Sequence, residues 1–448
     1  MREVAYELLR RVSEDDAYAN LILPKLLRDA RVDSRDAGFI QELGFGPIRN
    51  QRLYELIIES ASKRDISSIE PEARTILLLG IHQLLGMRVP AHAAINETVN
   101  LAKRKASKSA VGFVNAILRR VSEKSRGEWV ELVTSGGQDR DLALSDEYSH
   151  PVWIVKSFKA ALSARGIEGT LIDLLEADNA PAWVSIVALP GFSTVEDLSE
   201  FGVAGGASPL GVEIHENPSN IEAIRTGKAR VQDQGSQLAV IALTETGIEI
   251  SDASWLDICA GPGGKAALMA ALAKPKGIQF AANEISEHRV KLVGAALAPV
   301  TDIRVSQGDG REIGGGGPKF SRILLDAPCT GLGALRRRPE ARWRKQASDL
   351  KDLSKLQREL FESSWLSLLP GGVLAYVTCS PHLSETTNQV AWAVSKFGDE
   401  MEVVNANKVL NGVNPNLDLD ESFLTAQLWP HINGTDAMFV ALFRKSLN

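Results

Sequence analysis

Cysteine is rare in this chain. It occurs three times in 448 residues, at Cys259, Cys329 and Cys379. Three widely spaced cysteines fit neither the disulfide framework of a secreted domain nor a CxxC metal site. We therefore expect no bound metal, and any part that these residues take in function should depend on the free thiol.

Long apolar runs and an excess of positive charge are also missing. The richest apolar stretch, TILLLGIHQLLGM, contains a His and a Gln and is too short to span a bilayer. The N-terminal MREVAYELLRRVSEDD is charged throughout and lacks the apolar core of a secretory signal. We expect a cytoplasmic protein without membrane contact. Because the net charge is −6, any contact with nucleic acid must come from a local basic surface.

Length and residue patterning predict several domains. The chain is about three times as long as a typical domain of roughly 150 residues. Residues 1–130 have apolar residues three and four positions apart, which predicts an all-α domain of about six helices. Residues 131–145 are polar and contain glycine, as linkers do. Residues 146–230 combine a helical stretch with the β-rich run WVSIVAL and predict a small α+β module.

Strand-like and helical segments alternate over residues 231–448. This pattern predicts an α/β, Rossmann-like domain whose mostly parallel seven-stranded sheet is covered by helices on both faces. The last two β-like runs, MEVVNANK and AMFVALFRK, have no helical segment between them and predict a terminal antiparallel pair. The first five runs are WLDICA, IQFAANE, DIRVSQGD, SRILLDAP and GVLAYVTCS.

Candidate functional residues follow these strands, because ligands of open α/β sheets bind beyond the carboxyl ends of the strands. A glycine-rich turn at 259–265 precedes a helix, whose N-terminus favours an anionic group such as a carboxylate. The turn is neither a Walker loop nor GxGxxG. Glu284 and Asp309 end the next two strands, where a helix cap or a turn residue is an equally simple interpretation. A buried Cys is usually structural, but all three cysteines lie at strand ends.

The motifs AGPGGK at 260–265, DAPCTG at 326–331 and TCSP at 378–381 stand in this order. Together they resemble the signatures of the NOL1/NOP2/Sun family of RNA cytosine-C5 methyltransferases. Gly261 stands where the family commonly has Ala, and Thr330 where Ser is usual. The segment SPHLSETTN replaces an ENE-type segment after the TCS turn. None of these departures removes a proposed catalytic group.

The earlier part of the chain is similar to the Sun, or RsmB, branch, which methylates 16S ribosomal RNA and has a NusB-like, RNA-binding N-terminal domain. The similar stretches are AINETVNLAK at 94–103, GFVNAILRRV at 112–121, YSHPVWIV at 148–155 and VQDQGSQLAV at 231–240.

The resemblance implies S-adenosylmethionine as cofactor and a covalent mechanism. Carbon 5 of cytosine is too electron-poor to attack a methyl sulfonium, so a thiolate must first add at carbon 6. By resemblance Cys379 is this nucleophile and Cys329 assists the later release of the RNA. A nearby cation, or the N-terminus of a helix starting near Ser384, should favour the Cys379 thiolate.

The resemblance also implies a cofactor site and individual contacts within it. The glycine-rich loop holds the methionine end, Glu284 the ribose hydroxyls and Asp309 the adenine amine. Asp326 contacts the cytosine edge or the region of the methyl donor. The implied cofactor-binding residues are Cys259, Ala260, Gly261, Pro262, Gly263, Gly264, Lys265, Glu284, Asp309 and Asp326.

A basic run follows the DAPC turn and contains a Trp that could stack on a base. An isolated charge run is usually a solvated surface, but its place in the sequence beside the predicted site favours RNA binding. The target cytosine must leave its stack, so a looped RNA is the expected substrate. The predicted RNA-binding residues are Arg336, Arg337, Arg338, Arg342, Trp343, Arg344 and Lys345.

Three alternatives remain at this point. The substrate could be a cytosine of transfer RNA or another RNA. A methyltransferase acting on an exocyclic amine would need no thiol, and typically has an Asn/Asp-Pro-Pro-aromatic turn in place of DAPC. A non-catalytic RNA-binding or antitermination factor could use the NusB-like half alone. The complete cofactor loop and the pair of cysteines favour the cytosine-C5 enzyme.

Overall fold

The computed structural model describes residues 1–134, 139–248, 250, 254–300 and 303–447. They form two compact units. The first consists of Met1–Pro181 and Leu335–Lys345, and the second of Ala182–Ala334 and Gln346–Asn448. The division into domains at 1–130, 146–230 and 231–448 stays a prediction. In the part of the chain that is described, no helix is long and apolar enough to span a bilayer.

The first unit is helical. Its central helix α5 is buried along most of its length and contacts α1, α3, α4, α6 and α7. The helices of residues 1–181 are α1 (Arg2–Glu14), α2 (Ala19–Asp29), α3 (Ser34–Arg49), α4 (Gln51–Ser62), α5 (Pro71–Leu85), α6 (Ala91–Lys105), α7 (Lys108–Val121), α8 (Arg126–Thr134), α9 (Arg140–Tyr148), α10 (Val152–Ser163) and α11 (Leu171–Asn179).

The predicted linker at 131–145 is wrong in part. Helix α8 extends to Thr134, and α9 begins at Arg140, where the Asp139 side chain accepts the backbone N–H of Asp141 as an N-cap. The polar residues that suggested a loop therefore cap and cover a helix. Residues 135–138 of the predicted linker lie outside the described residues.

The second unit begins with a small antiparallel sheet, and the run WVSIVAL supplies its strand β1. The strand order is β2-β3-β1-β4. Its strands are β1 (Val184–Ala188), β2 (Gly202–Ala204), β3 (Gly211–Ile214) and β4 (Ala229–Val231).

The large sheet of the second unit has the order β10-β12-β9-β8-β5-β6-β7, and the short β11 pairs with β12. Strands β5 to β9 pair in parallel, whereas β12 is antiparallel to both β9 and β10. This confirms the predicted mostly parallel sheet. Its strands are β5 (Ser254–Asp257), β6 (Gln279–Glu284), β7 (Arg304–Gln307), β8 (Phe320–Asp326), β9 (Leu368–Thr378), β10 (Met401–Val404), β11 (Ala426–Gln427) and β12 (Phe439–Lys445).

Helices cover both faces of this sheet: α14 and α15 lie in one apolar core and α18 in the other. The remaining helices are α12 (Val195–Leu198), α13 (Glu222–Arg225), α14 (Gln234–Thr244), α15 (Gly264–Ala273), α16 (Glu287–Leu297), α17 (Ala341–Arg344), α18 (Asp349–Ser367), α19 (Thr387–Phe397), α20 (Ala406–Val413) and α21 (Pro430–Asn433). Of these, α17 belongs to the first unit.

The antiparallel pairing of the two terminal β-like runs is confirmed, but the prediction that no helix separates them is wrong. The run MEVVNANK leaves the sheet after Val404, because Asn405 caps α20 by accepting the backbone N–H of Lys408. Ala406 and Leu410 then bury one face of this short helix. The sequence of α20 is too short for its helical period to be recognised.

The topology determines where a ligand can bind. After β5 the chain builds β6 and β7 on one side, and then crosses to β8 on the other side. Such a switch point opens a crevice at the carboxyl ends of the two adjacent strands. The predicted cofactor loop follows β5, and the DAPC turn, which contains Cys329, follows β8.

Candidate active site

The glycine-rich loop after β5 is held by close backbone packing. Gly263 has a φ of 108°, and a Cβ there would lie 2.5 Å from the Cβ of Ala296. Only glycine fits a left-handed position of this kind without strain. At Gly261 a Cβ would collide with the Glu284 carboxylate. The departure from the family's Ala therefore leaves room for an acidic side chain beside the loop.

Glu284 is 4% exposed at the end of β6. Its Oε2 accepts the backbone N–H of Gly261 at 3.0 Å, and its Oε1 accepts that of Ser286 at 2.9 Å. Ser286 is the N-cap residue of α16. Glu284 thus contacts the backbone of the predicted cofactor loop and also binds the start of the next helix, as the cap interpretation expects; its contact with ribose hydroxyls stays a prediction.

Lys265 and Asp326 join the cofactor loop to the DAPC turn. Their Nζ and Oδ2 atoms lie 2.8 Å apart in an ion pair. Burial disfavours the Lys265 ammonium, but attraction to Asp326 and the hydrogen bond between them outweigh it and raise its pKa. The Lys265 ammonium is therefore a stable positive charge between the glycine-rich loop and the DAPC turn.

Asp257, the last residue of β5, is a site residue that the sequence motifs did not indicate. It is 1% exposed, and neither oxygen makes a hydrogen bond of normal geometry among the described residues. Burial, followed by repulsion from Asp326, raises its pKa to about 8, while Lys265 and the backbone of Cys259 oppose the shift. A buried carboxyl with free acceptor positions fits the ammonium group of an amino-acid ligand such as S-adenosylmethionine. Its place in the run WLDICA was the available signal.

Asp309 follows β7 and is already engaged. Its carboxylate accepts both the backbone and the guanidinium of Arg311, which lowers its pKa. Arg311 also contacts Glu359 at 3.0 Å. Asp309 therefore caps a turn in this structure. To bind the adenine amine as predicted, one of its oxygens would have to accept from Arg311 and from the adenine at the same time.

The thiols of Cys329 and Cys379 meet. Their Sγ atoms are 3.4 Å apart, although the residues come from turns after different strands. The hydrogen bond from Cys329, together with the Lys265 ammonium, lowers the pKa of Cys379 against the effect of burial. The same hydrogen bond, and then burial, raises the pKa of Cys329 well above its usual range. Cys379 is therefore the more acidic of the two thiols.

Two further predictions about cysteine meet the structure here. The helix expected near Ser384 begins as a 3-10 turn at Leu383–Glu385 and continues as α19, and the cation that favours the Cys379 thiolate is Lys265. Burial and the neighbouring Asp257 raise the pKa of Cys259 well above its usual range. The thiolate form of Cys259 is therefore disfavoured, in contrast to that of Cys379.

The basic run does not form one exposed surface. Arg342 is fully buried, and its guanidinium donates to the Asn179 side chain at 2.9 Å and to the Ser149 carbonyl at 3.0 Å. The structure contradicts the predicted RNA contact of Arg342, because its side chain is buried within the first unit. Arg344 likewise donates to the carbonyls of Val12, Asp16 and Ala17.

Other members of the run differ in exposure. Arg336 is only 9% exposed, whereas Trp343 is 37% exposed. Arg338 is also exposed and lies over the Tyr18 ring. Arg337 and Lys345 are half-buried. In the described residues no group of three or more His, Cys, Asp and Glu side chains is placed to hold a metal ion.

Comparison with known proteins agrees with this geometry. Residues 247–444 match the family model described as 16S rRNA methyltransferase RsmB/F, and residues 1–123 match the NusB family. Rv1407 of Mycobacterium tuberculosis, whose name gives only the class methyltransferase, is 41% identical over 99% of this chain and 96% of its own length. Ribosomal RNA small subunit methyltransferase B of Klebsiella pneumoniae is 30% identical over 89% of this chain and 90% of its own length.

Two solved crystal structures have a fold similar to that of this chain. The crystal structure of PH0851 superposes with a TM-score of 0.77 at 21% identity, covering 99% of this chain and 98% of that one. NSun6 from Pyrococcus horikoshii, solved with SFG, gives a TM-score of 0.52 at 16% identity over 65% of this chain. At this level of identity the likeness concerns the fold alone. Taken with the sequence relatives, these matches show that the chain belongs to the RsmB/F family of S-adenosylmethionine-dependent rRNA methyltransferases, with a NusB-family region at its N-terminus.

Proposed function

We propose that this protein transfers a methyl group to carbon 5 of a cytosine in 16S ribosomal RNA through a covalent bond between Cys379 and the base. The observation that carries the proposal is the contact of 3.4 Å between the Cys329 and Cys379 sulfurs. An enzyme that methylates an exocyclic amine has no use for two thiols at this place. The 16S substrate rests on what the relatives' names say of those proteins.

The chemistry follows from the protonation of the two thiols. Cys379 adds as a thiolate to carbon 6, and the electron pair moves to carbon 5, which can then accept the methyl group. S-adenosylmethionine supplies that methyl group on a positively charged sulfur. A base with access to solvent then takes the carbon-5 proton, the electron pair of that C–H bond re-forms the double bond between carbons 5 and 6, and Cys379 leaves carbon 6 as a thiolate. Cys329, whose sulfur lies 3.4 Å from that of Cys379, would exchange a proton with it in this last step.

The side chains around the loop would bind and orient the cofactor. We propose that Glu284 accepts from ribose hydroxyls, and that Asp257 and the loop 259–265 receive the methionine end. Asp309 is assigned to the adenine amine. Asp326 holds Lys265 at 2.8 Å, which keeps an ammonium near the nucleophile as well as a carboxylate near the reacting base. Charge is thereby arranged before the substrate arrives.

The RNA surface is proposed to use the more accessible residues of the basic run together with the NusB-like helices. Arg338 and Trp343 are exposed, and Arg337 and Lys345 are half-buried. An exposed indole can stack on a splayed base. Because ribosomal RNA is the proposed substrate, we also propose that the protein acts in the cytoplasm.

Bisulfite mapping of RNA tests this function. A strain that lacks the protein should lose protection of one or more cytosines in 16S RNA, because 5-methylcytosine resists deamination. Wild-type protein should restore the protection and Cys379→Ala should not. Loss of protection in transfer RNA alone would establish the other substrate. A purified protein that binds no S-adenosylmethionine in calorimetry would instead favour a non-catalytic RNA-binding factor.

A further inference from the structure

A buried carboxylate lies behind the two thiol-bearing turns and has no part in the mechanism derived so far. Glu385 belongs to SPHLSETTN, the segment in which the chain departs from the family pattern. It ends the 3-10 turn Leu383–Glu385, and its side chain is 0% exposed. A carboxylate is costly to remove from water unless hydrogen-bond donors replace the lost solvation. The groups that donate hydrogen bonds to Glu385 therefore indicate what this residue stabilises.

Three donors converge on this carboxylate. The backbone N–H of Thr330 donates to Oε1 at 2.8 Å, and the side-chain amide of Gln357 donates to the same oxygen at 3.2 Å. The Thr330 hydroxyl donates to Oε2. The Thr330 hydroxyl has a single proton, which points at Glu385 in this hydrogen bond. In the contact of 3.1 Å between Ser380 Oγ and Thr330 Oγ1, the Ser380 hydroxyl is therefore the donor.

These bonds hold the Cys329 turn from both sides. Thr330, the residue after Cys329, is bound by Glu385 through both its amide and its hydroxyl. Pro328, the residue before it, accepts the side-chain amide of Gln357 at 2.9 Å. The peptide groups on either side of the thiol are thus fixed by one network, of which Glu385 is the charged member.

The same network reaches the Cys379 turn. Ser380, the residue after Cys379, is bound to Thr330 through the two hydroxyls. The Tyr376 hydroxyl, on the strand that leads to Cys379, donates to the backbone carbonyl of Glu385 at 2.8 Å. Glu385 therefore contacts both the turn that carries Cys329 and the strand that leads to Cys379.

We propose that Glu385 is a positioning residue that sets the Cys329 turn against the Cys379 turn, so that the two sulfurs stay within hydrogen-bonding distance. It touches neither the base nor the cofactor, and it acts through Thr330. Its charge also adds to the hydrogen bond with Cys379 and to burial in raising the pKa of Cys329. The catalytic consequence of this role rests on the proposed function, whereas the placement of the thiols does not.

The placement can be measured without RNA or cofactor. Diamide oxidises two neighbouring thiols to a disulfide and takes up their two hydrogens as a hydrazine. Sulfurs that rest 3.4 Å apart need only a small approach to reach disulfide bonding distance. Peptide mass spectrometry should find the Cys329–Cys379 bridge in wild type. Glu385→Ala should form it at least tenfold more slowly, because the Cys329 turn loses its anchor.

Two further variants distinguish a loss of turn position from a loss of the Glu385 charge and from a general loss of folding. Glu385→Gln keeps the shape of the side chain and can still accept from the Thr330 amide, so it should form the bridge faster than Glu385→Ala. Thr386→Val is the matched control, since Thr386 is a buried neighbour whose hydroxyl donates to the His382 carbonyl and not to either turn. It should oxidise like wild type. Calorimetry with S-adenosylmethionine checks that each variant is folded.

Labelled RNA then tests the catalytic consequence. A misplaced Cys329 should slow release, so Glu385→Ala should accumulate a denaturation-resistant protein–RNA adduct, as Cys329→Ala should. A folded Glu385→Ala that forms the bridge at the wild-type rate would overturn the positioning role. Slow bridge formation with no adduct from any variant, Cys329→Ala included, would support the positioning role and refute the covalent function.

Discussion

Replacing Arg342 distinguishes a buried structural anchor from an RNA-binding residue. In the structure its guanidinium donates to the carbonyls of Arg49 at 3.2 Å, Ser149 at 3.0 Å and Asp178 at 3.3 Å, and to Asn179 Oδ1 at 2.9 Å. These acceptors lie at the carboxyl ends of α3, α9 and α11, where helix carbonyls lack partners. Burial lowers the pKa of Arg342 to about 10, so it remains charged at neutral pH.

Arg342→Ala should therefore destabilise the helical unit. Each buried acceptor left without a donor costs about 1–3 kcal/mol, and because the losses are not additive we expect a total of about 3–5 kcal/mol. For a unit of this size that is roughly 10 °C in the melting temperature. Arg338→Ala is the control, since Arg338 is exposed and should change stability by less than about 0.5 kcal/mol.

Circular dichroism and calorimetry on the full chain would measure the helical transition. The urea midpoint should fall in parallel with the melting temperature. An Arg342→Ala protein of wild-type stability would refute the anchor. If it also bound RNA with a flatter salt dependence, Arg342 would return to the RNA surface.

Four further outcomes follow from the site. Cys379→Ala should abolish methyl transfer with nearly unchanged cofactor affinity in calorimetry, while Cys329→Ala should form an RNA adduct that survives denaturing electrophoresis; the opposite pattern would exchange their roles. Glu284→Ala should weaken cofactor binding by about 1–3 kcal/mol, the scale of lost charge-assisted hydrogen bonds, and unchanged affinity would remove Glu284 from the site. The pKa of Asp257 is raised from 3.8 to about 8, so the folded state binds its proton more tightly and stability should fall as pH rises through that range. Asp257→Asn should flatten this slope by up to about 1.4 kcal/mol per pH unit, and an identical pH profile would contradict the assignment. Arg338→Gln should reduce the salt dependence of RNA binding by about one released counterion, and an unchanged slope in filter binding would exclude this residue from the interface.

The sequence alone determined the order of strands and helices in the second unit and the strand ends that bear the motifs. Short apolar β-type runs such as RILL and GVLAYV are typical of buried strands, and Asp326 and Thr378 end two of these strands in the structure. Since parallel strands present their carboxyl ends at one edge, the strand pattern by itself predicts that the cofactor loop converges with Cys329 and Cys379.

Tertiary structure decided which side chains meet, because such contacts join residues far apart in the chain. The run of arginines after the DAPC turn looks like a surface when only its neighbours in sequence are considered. Arg342 is buried because the ends of three distant helices supply its acceptors. Asp257 lies in a strand-end run like several others, and its high pKa comes from burial and from Asp326 on another strand. Glu385 appears in sequence as a departure from a family segment, whereas packing makes it the partner of Thr330. Local pattern determines where elements end, but burial and electrostatics depend on what lies across the fold.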